Sequence, residues 1–487
     1  MPYNPFDKNI TEIVEQDLAQ LIDRQISEGW YIEYKKEIPT TSLGKLDSLK
    51  ISKSVSSFAN TKGGWIFWGI TTDNRNNPIS IDGISISEYK NIEDQISQTI
   101  NSNISPNPIY HLKKIELINN NYLFIIQVEE SPTPPYITSQ GIIYQRENNE
   151  SKPIKDRYII EKLNEKTTSY YDSIERFCSL DFTETKGQAD WNQTYLELYL
   201  FPLPFDSFSF SKFYSSDFFK EVAVRFYQSV EVNLQKGNEE FKQTTQIDLN
   251  LGFNSIYSSE SSLIIRPLNE KNLIYKSTTV ELFENGNLKF LIPLYEFNSE
   301  NIPKHYLNSN IINYLLEKYS PYETVKQNSY LPYGGNSDFK LPDITRRSTT
   351  DFVNHIKFID GTELIFTILI ILSKYKAVLS DNNFDMKSKL GFRARITDCW
   401  RKFVFFDNDD YLEKIKLYNI PLSPKNEIEI PEFKNGKAYK VDLSDDYAYF
   451  QIARFILEGI GLPDSHSITF SDIITNALER IKKQNGS

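Results

Sequence analysis

Apolar positions recur at helical spacing near the start of the chain. Ile10, Val14, Leu18, Leu21, Ile22 and Ile26 form one stripe from about Asn9 to Ser27, and Asn9 with Glu12 has the spacing of a capping box. The period then changes. Trp30-Tyr31-Ile32-Glu33-Tyr34-Lys35 is aromatic and β-branched, which predicts a strand. A second helix is expected from about Leu46 to Ala59, with Leu46, Leu49, Val55 and Phe58 facing inward. Asn60 and Gly63-Gly64 stop it, because glycine tolerates the left-handed backbone of a C-cap. Trp65 to Ile70 reads as a buried strand with Asp73 just past its end. A third helix is predicted from Ser85 to Ile100, where Tyr89, Ile92, Ile96 and Ile100 line up. A hairpin follows from Tyr110 to Glu129, turning at Asn119-Asn120-Asn121.

Downstream the pattern shifts twice. Residues 166–190 are polar and mixed, as in a linker or junction. Residues 191–304 alternate aromatic and polar positions, as in Thr194-Tyr195-Leu196-Glu197-Leu198-Tyr199, with a turn at Asn285-Gly286-Asn287, and predict a β-rich region. From 305 to 487 the periods become helical, over Ile311–Lys318, Gly361–Ala377, Tyr447–Leu457 and Ser471–Lys483. The expected architecture is α+β: a first domain over residues 1–165 with a mixed sheet and helices, then the linker, the β-rich region and a mainly helical region. The longest apolar run, Leu364 to Leu372, is too short to cross a bilayer.

The chemistry gathers in the first domain. Alternation along the predicted strand puts Glu33 and Lys35 on one side. Glu28 lies at the preceding helix-to-strand corner, and Asp73 follows the next strand. Two glutamates and an aspartate converging at element ends suit a hard divalent cation, Mg2+ or Mn2+, whose preferred ligands are carboxylate oxygens and water. Such a cation activates water and stabilises a phosphodiester transition state, with Lys35 balancing phosphate charge. The same residues also read as a solvated strand face with an ion pair worth under about 1 kcal/mol. Phe58-Ala59-Asn60-Thr61-Lys62-Gly63-Gly64 equally reads as a helix C-cap and turn.

These segments, in order, resemble the Schlafen-type AlbA_2 domain. That family reads roughly Glu-x4-Glu-Phe-Lys, then Ala-Phe-Ala-Asn-Thr-x-Gly-Gly, then Gly-Val-x-x-Asp. Here Tyr34 stands for the Phe and Ser57 for the first Ala, while Gly69-Ile70-x-x-Asp73 supplies the last segment. Ser131-Pro132 to Tyr136 is similar to the family's Pro-rich turn, and Ile143-Tyr144-Gln145-Arg146 to its closing strand. The resemblance covers roughly residues 10 to 165. It implies a metal-dependent endoribonuclease acting on tRNA or other structured RNA, with Glu28, Glu33 and Asp73 as metal ligands and Lys35 on the phosphate. It further implies an antiphage effector in bacteria, with the later regions sensing a phage-derived trigger or docking a partner such as a short Argonaute. Eukaryotic relatives pair two copies of the lobe in one chain. This sequence has one copy of the motif set, which points to a homodimer or higher oligomer. The alternative is a non-catalytic nucleic-acid-binding regulator, since many proteins with this domain are described only as ATP-binding or regulatory. ATP hydrolysis finds no support, because no Gly-x4-Gly-Lys-Ser/Thr loop occurs.

Charge narrows the nucleic-acid reading. The net charge is −11, and the first 165 residues carry 17 Lys and Arg against 22 Asp and Glu, so an RNA site must be a local patch. Lys50, Lys53 and Lys62 along the second helix and its exit, and Arg146, Lys152, Lys155, Arg157 and Lys162 near the domain's end, are the candidates, with Lys62 and Arg146 ranked first by their place in the motifs. Two cysteines, Cys178 and Cys399, and four isolated histidines give neither a disulfide framework nor zinc spacing. A cytoplasmic protein with no membrane partner is expected.

Overall fold

The computed structural model describes residues 3–85, 91–179, 194–227, 232–236, 243–247, 255–266, 278–298, 301–307, 309–319, 357–385, 389–418, 420–432, 436–462, 474–475 and 478. The chain divides into two compact units, Met1–Ser173 and Ile174–Ser487.

The first unit opens with a 3-10 turn, Ile10–Glu12, followed by helix α1, Glu15–Asp23. The single helix expected here is split because Ile13 and Val14 are extended. Asn9 caps only the short turn, and Asp17 restarts the helix by accepting from the Val14 N–H at 2.9 Å. Strand β1 is Ile32–Lys35, and helix α2, Ser48–Ala59, is N-capped by Asp47. The Gly63 N–H donates to Phe58 O at 2.9 Å to close α2. Gly63 has φ +68°, and a Cβ there would meet Val128 O at 2.6 Å, so only glycine lets the chain turn into β2, Gly64–Trp68. A hairpin of β3, Ile70–Thr72, and β4, Pro78–Ile81, follows, and then helix α3, Ile92–Asn103. Ser85 lies outside α3, and residues 86–90 of the expected third helix lie outside the described residues. Strand β5, Ile104–Ser105, pairs with β8, Ile137–Thr138. Between them β6, Tyr110–Glu116, and β7, Tyr122–Val128, form the expected hairpin. The unit closes with the hairpin of β9, Tyr144–Glu147, and β10, Glu150–Pro153, and with the greater part of helix α4, Arg157–Phe177, whose last four residues belong to the second unit.

The central sheet has the order β1-β2-β7-β6, with β1 parallel to β2 and the other pairs antiparallel. Ile32, Tyr34, Trp65 and Phe67 pack on one face with Leu18 and Leu21 of α1. Ile66, Trp68, Phe124 and Ile126 pack on the other with α2 and α3. Burial of both faces fixes the register, because a one-residue slip would exchange the two apolar sets. Glu33 and Lys35 therefore belong to the α2 face.

Two domain boundaries differ from the sequence reading. Residues 166–177, expected as linker, continue α4. Its polar composition hid a helix whose exposed side carries ion pairs at helical spacing, Arg157–Glu161 and Lys162–Glu165, both at 2.7 Å. In the second unit the strand Tyr195–Pro202 lies between Leu288–Pro293 and Leu390–Thr397 in one eight-stranded sheet. The regions 191–304 and 305–487 thus share a sheet and are not separate domains. Leu196, Leu198, Leu200, Phe290 and Phe392 form one apolar core with the helix Gly361–Asp381. The strand's other side is buried too: Glu197 accepts from the Tyr199 hydroxyl at 2.6 Å and faces Arg395 at 3.5 Å. The helices expected near 311, 361 and 447 form as Asn310–Tyr319, Gly361–Asp381 and Tyr447–Ile460. The one expected over Ser471–Lys483 falls almost wholly outside the described residues. Among the described residues no helix is long and apolar enough to cross a membrane.

Candidate functional site

Glu33 sits at the edge of the sheet face that packs against α2, 4% exposed. A carboxylate so buried requires partners, and three side chains supply them. Its Oε2 accepts from Arg146 Nη1 at 2.6 Å, and its Oε1 accepts from Ser54 Oγ at 2.8 Å and lies 3.3 Å from Lys35 Nζ. Arg146 comes from β9 and is itself 1% exposed. Its guanidinium also donates to Gly29 O at 3.0 Å and Ile32 O at 3.1 Å, and lies 4.7 Å over the Phe58 ring.

The hairpin that delivers Arg146 is tied to the end of α2. Asn60 Nδ2 donates to Tyr136 O and Tyr144 O, both at 2.9 Å, while its Oδ1 accepts from the Tyr136 N–H at 2.6 Å. Thr61 Oγ1 accepts from the Arg146 N–H at 2.9 Å, and Ser57 and Ser151 share a hydrogen bond of 2.8 Å. The Asn60-Thr61 pair is thus a clasp between α2 and the β9–β10 hairpin.

Glu28 is half-buried beside this cluster. Its Oε1 accepts from the Tyr34 N–H at 2.7 Å. Burial raises its pKa above the ordinary value and the nearby Glu33 charge adds to this, while the Tyr34 N–H, Lys35 and Arg146 oppose it. Asp73 is placed differently. It caps the β3–β4 turn, with Oδ1 accepting from the Arg75 and Asn77 N–H groups at 2.8 Å each and Oδ2 from Asn77 Nδ2 at 3.3 Å. These bonds, the Asn77 N–H foremost, hold its carboxyl below the usual range. The structure therefore brings Glu28, Glu33 and Lys35 into one electrostatic neighbourhood, while Asp73 caps a turn that is joined to the Glu28 backbone, whose N–H donates to Asn76 O at 2.9 Å. Among the described residues no group of three or more His, Cys, Asp or Glu is placed to hold a metal ion. A divalent cation held by all three carboxylates does not fit this arrangement, because Asp73 is engaged by its turn and Glu33 by Arg146, Ser54 and Lys35.

An open groove of about 820 Å3 runs over Glu33. Lys35, Lys36, Lys50, Lys53 and the buried Arg146 line it together with Glu37 and Glu150. Lys50 lies 3.3 Å from Asp47, whereas Lys53 points its charge at the Tyr144 ring, 5.7 Å away. Two of the candidate cations stand elsewhere than expected. Arg146 is buried and turned toward Glu33, since a guanidinium with a carboxylate and two carbonyls in reach is best satisfied inside. Lys62 does not line the groove and points toward Glu130 at 3.8 Å. Lys36, Ser54 and Ser151 escaped the sequence reading, and the sequence marks Asn60 as a helix stop without its bonds to the hairpin. The run Ser52, Ser54, Ser56 and Ser57 on a helix that must bury a face was the available signal for Ser54.

The family model described as Schlafen, AlbA_2 matches residues 28–155, so this part of the chain is a Schlafen AlbA_2 domain. The matched segment runs from Glu28 to the helix that follows β10, and contains every residue of the groove. No curated protein matches the chain. Among solved structures, the DIP2311 protein from Corynebacterium diphtheriae is 15% identical over 31% of this chain and 29% of that chain, with a TM-score of 0.19. That likeness is too slight to bear on the fold, and the match spans under a third of that protein's length.

Proposed function

We propose that this chain is a Schlafen-type endoribonuclease that holds the phosphate backbone of tRNA or other structured RNA in the lysine groove. The observation that carries this reading is the groove itself: four lysines around a buried glutamate, inside the matched domain, on an otherwise acidic chain. Lysines confined to one groove give local phosphate neutralisation without general affinity for polyanions. Glu33 is held in one orientation at the groove floor, and Glu28 keeps its Oε2 without a hydrogen bond among the described residues. In this reading the second unit senses a trigger or docks a partner, in antiphage defence, and two copies of the chain grip one RNA. Architecture alone supports that part, a site-bearing domain joined to a larger unit.

A second reading is a binding module without catalysis. The capping role of Asp73, whose carboxylate is taken up by the Arg75 and Asn77 N–H groups, favours it. One experiment separates the two. The full chain is incubated with a labelled tRNA pool in Mg2+, in Mn2+ and in chelator, with binding and cutting scored separately. The nuclease reading expects cutting that Glu33→Gln abolishes with binding retained. Binding without cutting under every condition, or cutting that persists in Glu33→Gln, refutes it. Lys50→Glu with Lys53→Glu is expected to weaken binding of all sequences and to lower the salt slope by roughly one per lysine.

A further inference from the structure

The loop between the two glutamates carries an exposed aromatic pair. Trp30 is 45% and Tyr31 37% exposed, although large aromatics usually find burial. Tyr31 stacks on Tyr3 with ring centroids 5.0 Å apart and an interplanar angle of 22°. Tyr3 is itself anchored, since the indole of the buried Trp65 donates to its carbonyl at 2.9 Å. The Trp30 ring, by contrast, stacks on no other ring among the described residues. A Cβ built at the neighbouring Gly29 would meet nothing within 4 Å, so the space beside this loop is open.

The loop's position gives these rings a use. Arg146, whose Nη1 holds Glu33 on the groove floor, donates to the carbonyls of Gly29 and Ile32, which bracket Trp30 and Tyr31. The loop that carries the aromatics is thus joined through Arg146 to a groove whose lysines match a phosphate backbone, although the rings themselves are not among the residues that line it. A strand lying with its phosphates there has its bases free to reach a flat apolar surface, provided they are not paired. Base-on-aromatic stacking is how single strands and RNA loops are commonly held.

We propose that Trp30, with the Tyr3–Tyr31 stack next to it, is a stacking platform for an unpaired nucleobase of the strand whose phosphates occupy the lysine groove. This rests on the nucleic-acid reading above and narrows it to RNA with single-stranded or looped-out nucleotides. The duplex form of the same sequence offers no base face to the platform.

The test uses the full chain, a fluorescently labelled single-stranded RNA, its duplex, and the same strand with abasic positions, followed by anisotropy. Trp30→Ala is expected to weaken single-strand binding about tenfold, with Trp30→Phe recovering most of it. The duplex and the abasic strand are expected to respond little to either variant. Trp30 is exposed, so circular dichroism and melting of the variants are expected to match the parent chain. Single-strand binding that depends on Lys50 and Lys53 but is unchanged by Trp30→Ala overturns the platform and leaves the groove standing. An equal loss for the abasic strand also overturns it. Absence of RNA binding by the parent chain removes both readings.

Discussion

Arg146→Met removes the guanidinium and keeps a side chain of similar length over Phe58. Glu33 then remains 4% exposed with Ser54 at 2.8 Å and Lys35 at 3.3 Å, and Gly29 O and Ile32 O lose a donor. Breaking a buried ion pair on one side costs about 3–5 kcal/mol, because the surviving charge is left inside without its partner. Lys35 is half exposed and offsets a part of this, so about 3 kcal/mol of lost stability is expected. For a unit of this size that corresponds to a fall in melting temperature of roughly 6–12 °C. Urea unfolding followed by tryptophan fluorescence reads it, since Trp65 and Trp68 are buried in the first unit's sheet. Adding Glu33→Gln to Arg146→Met is expected to restore part of the loss, since no unpaired charge then stays buried. If Arg146→Met instead changes stability by less than about 0.5 kcal/mol, as at an ordinary surface position, the buried ion pair is not what holds the groove floor.

Asn60→Ala leaves the backbone groups of Tyr136 and Tyr144 without their partners and is expected to destabilise by about 3 kcal/mol in thermal or urea unfolding. Asn60→Asp is expected to be no milder, because a carboxylate cannot donate to two carbonyls. Burial pushes Glu197 up from 4.5 to about 7, so the native state holds its proton more tightly than the unfolded chain does. The associated stability is full below about pH 4.5 and declines as pH rises through 7, by about 3 kcal/mol in all. Glu197→Gln should therefore melt above the parent chain at pH 8, with the gap closing near pH 5. A gap that widens toward acid would refute the sign.

Local periodicity made much of the first unit legible. Alternation placed Glu33 and Lys35 together, and the Asn60 to Gly64 segment marked the end of α2, because these depend on neighbours a few residues away. The role of Arg146 was not legible. Its partner lies 113 residues earlier, and an arginine in a motif beside a candidate phosphate site reads as a surface cation until burial is known. The same holds for the second unit, where Glu197 faces Arg395 across 198 residues and two regions of different periodicity share one sheet. Asp73 is a different case, since the run Asp73-Asn74-Arg75-Asn76-Asn77-Pro78 is rich in turn formers and an aspartate opening such a run commonly caps it. The local signal was present, and the alignment of Asp73 with a ligand position outweighed it.

The two readings of Phe58-Ala59-Asn60-Thr61-Lys62-Gly63-Gly64, as a helix stop and as part of a site, turn out to be one. The stop is what builds the site. Ending α2 at Asn60 frees that side chain to bind two carbonyls and an N–H of the following segments, and sets Thr61 to receive the Arg146 N–H. Phe58, two residues before Asn60, supplies the ring under the guanidinium. Arg146 in turn binds Glu33 and the loop bearing Trp30, so the groove floor and that loop hang on one buried arginine. A substitution at the end of α2 therefore reaches the groove without touching its lining: Asn60 makes its hydrogen bonds to Tyr136 and Tyr144, neither of which lines it, yet loosening the hairpin releases Glu33 from its fixed orientation.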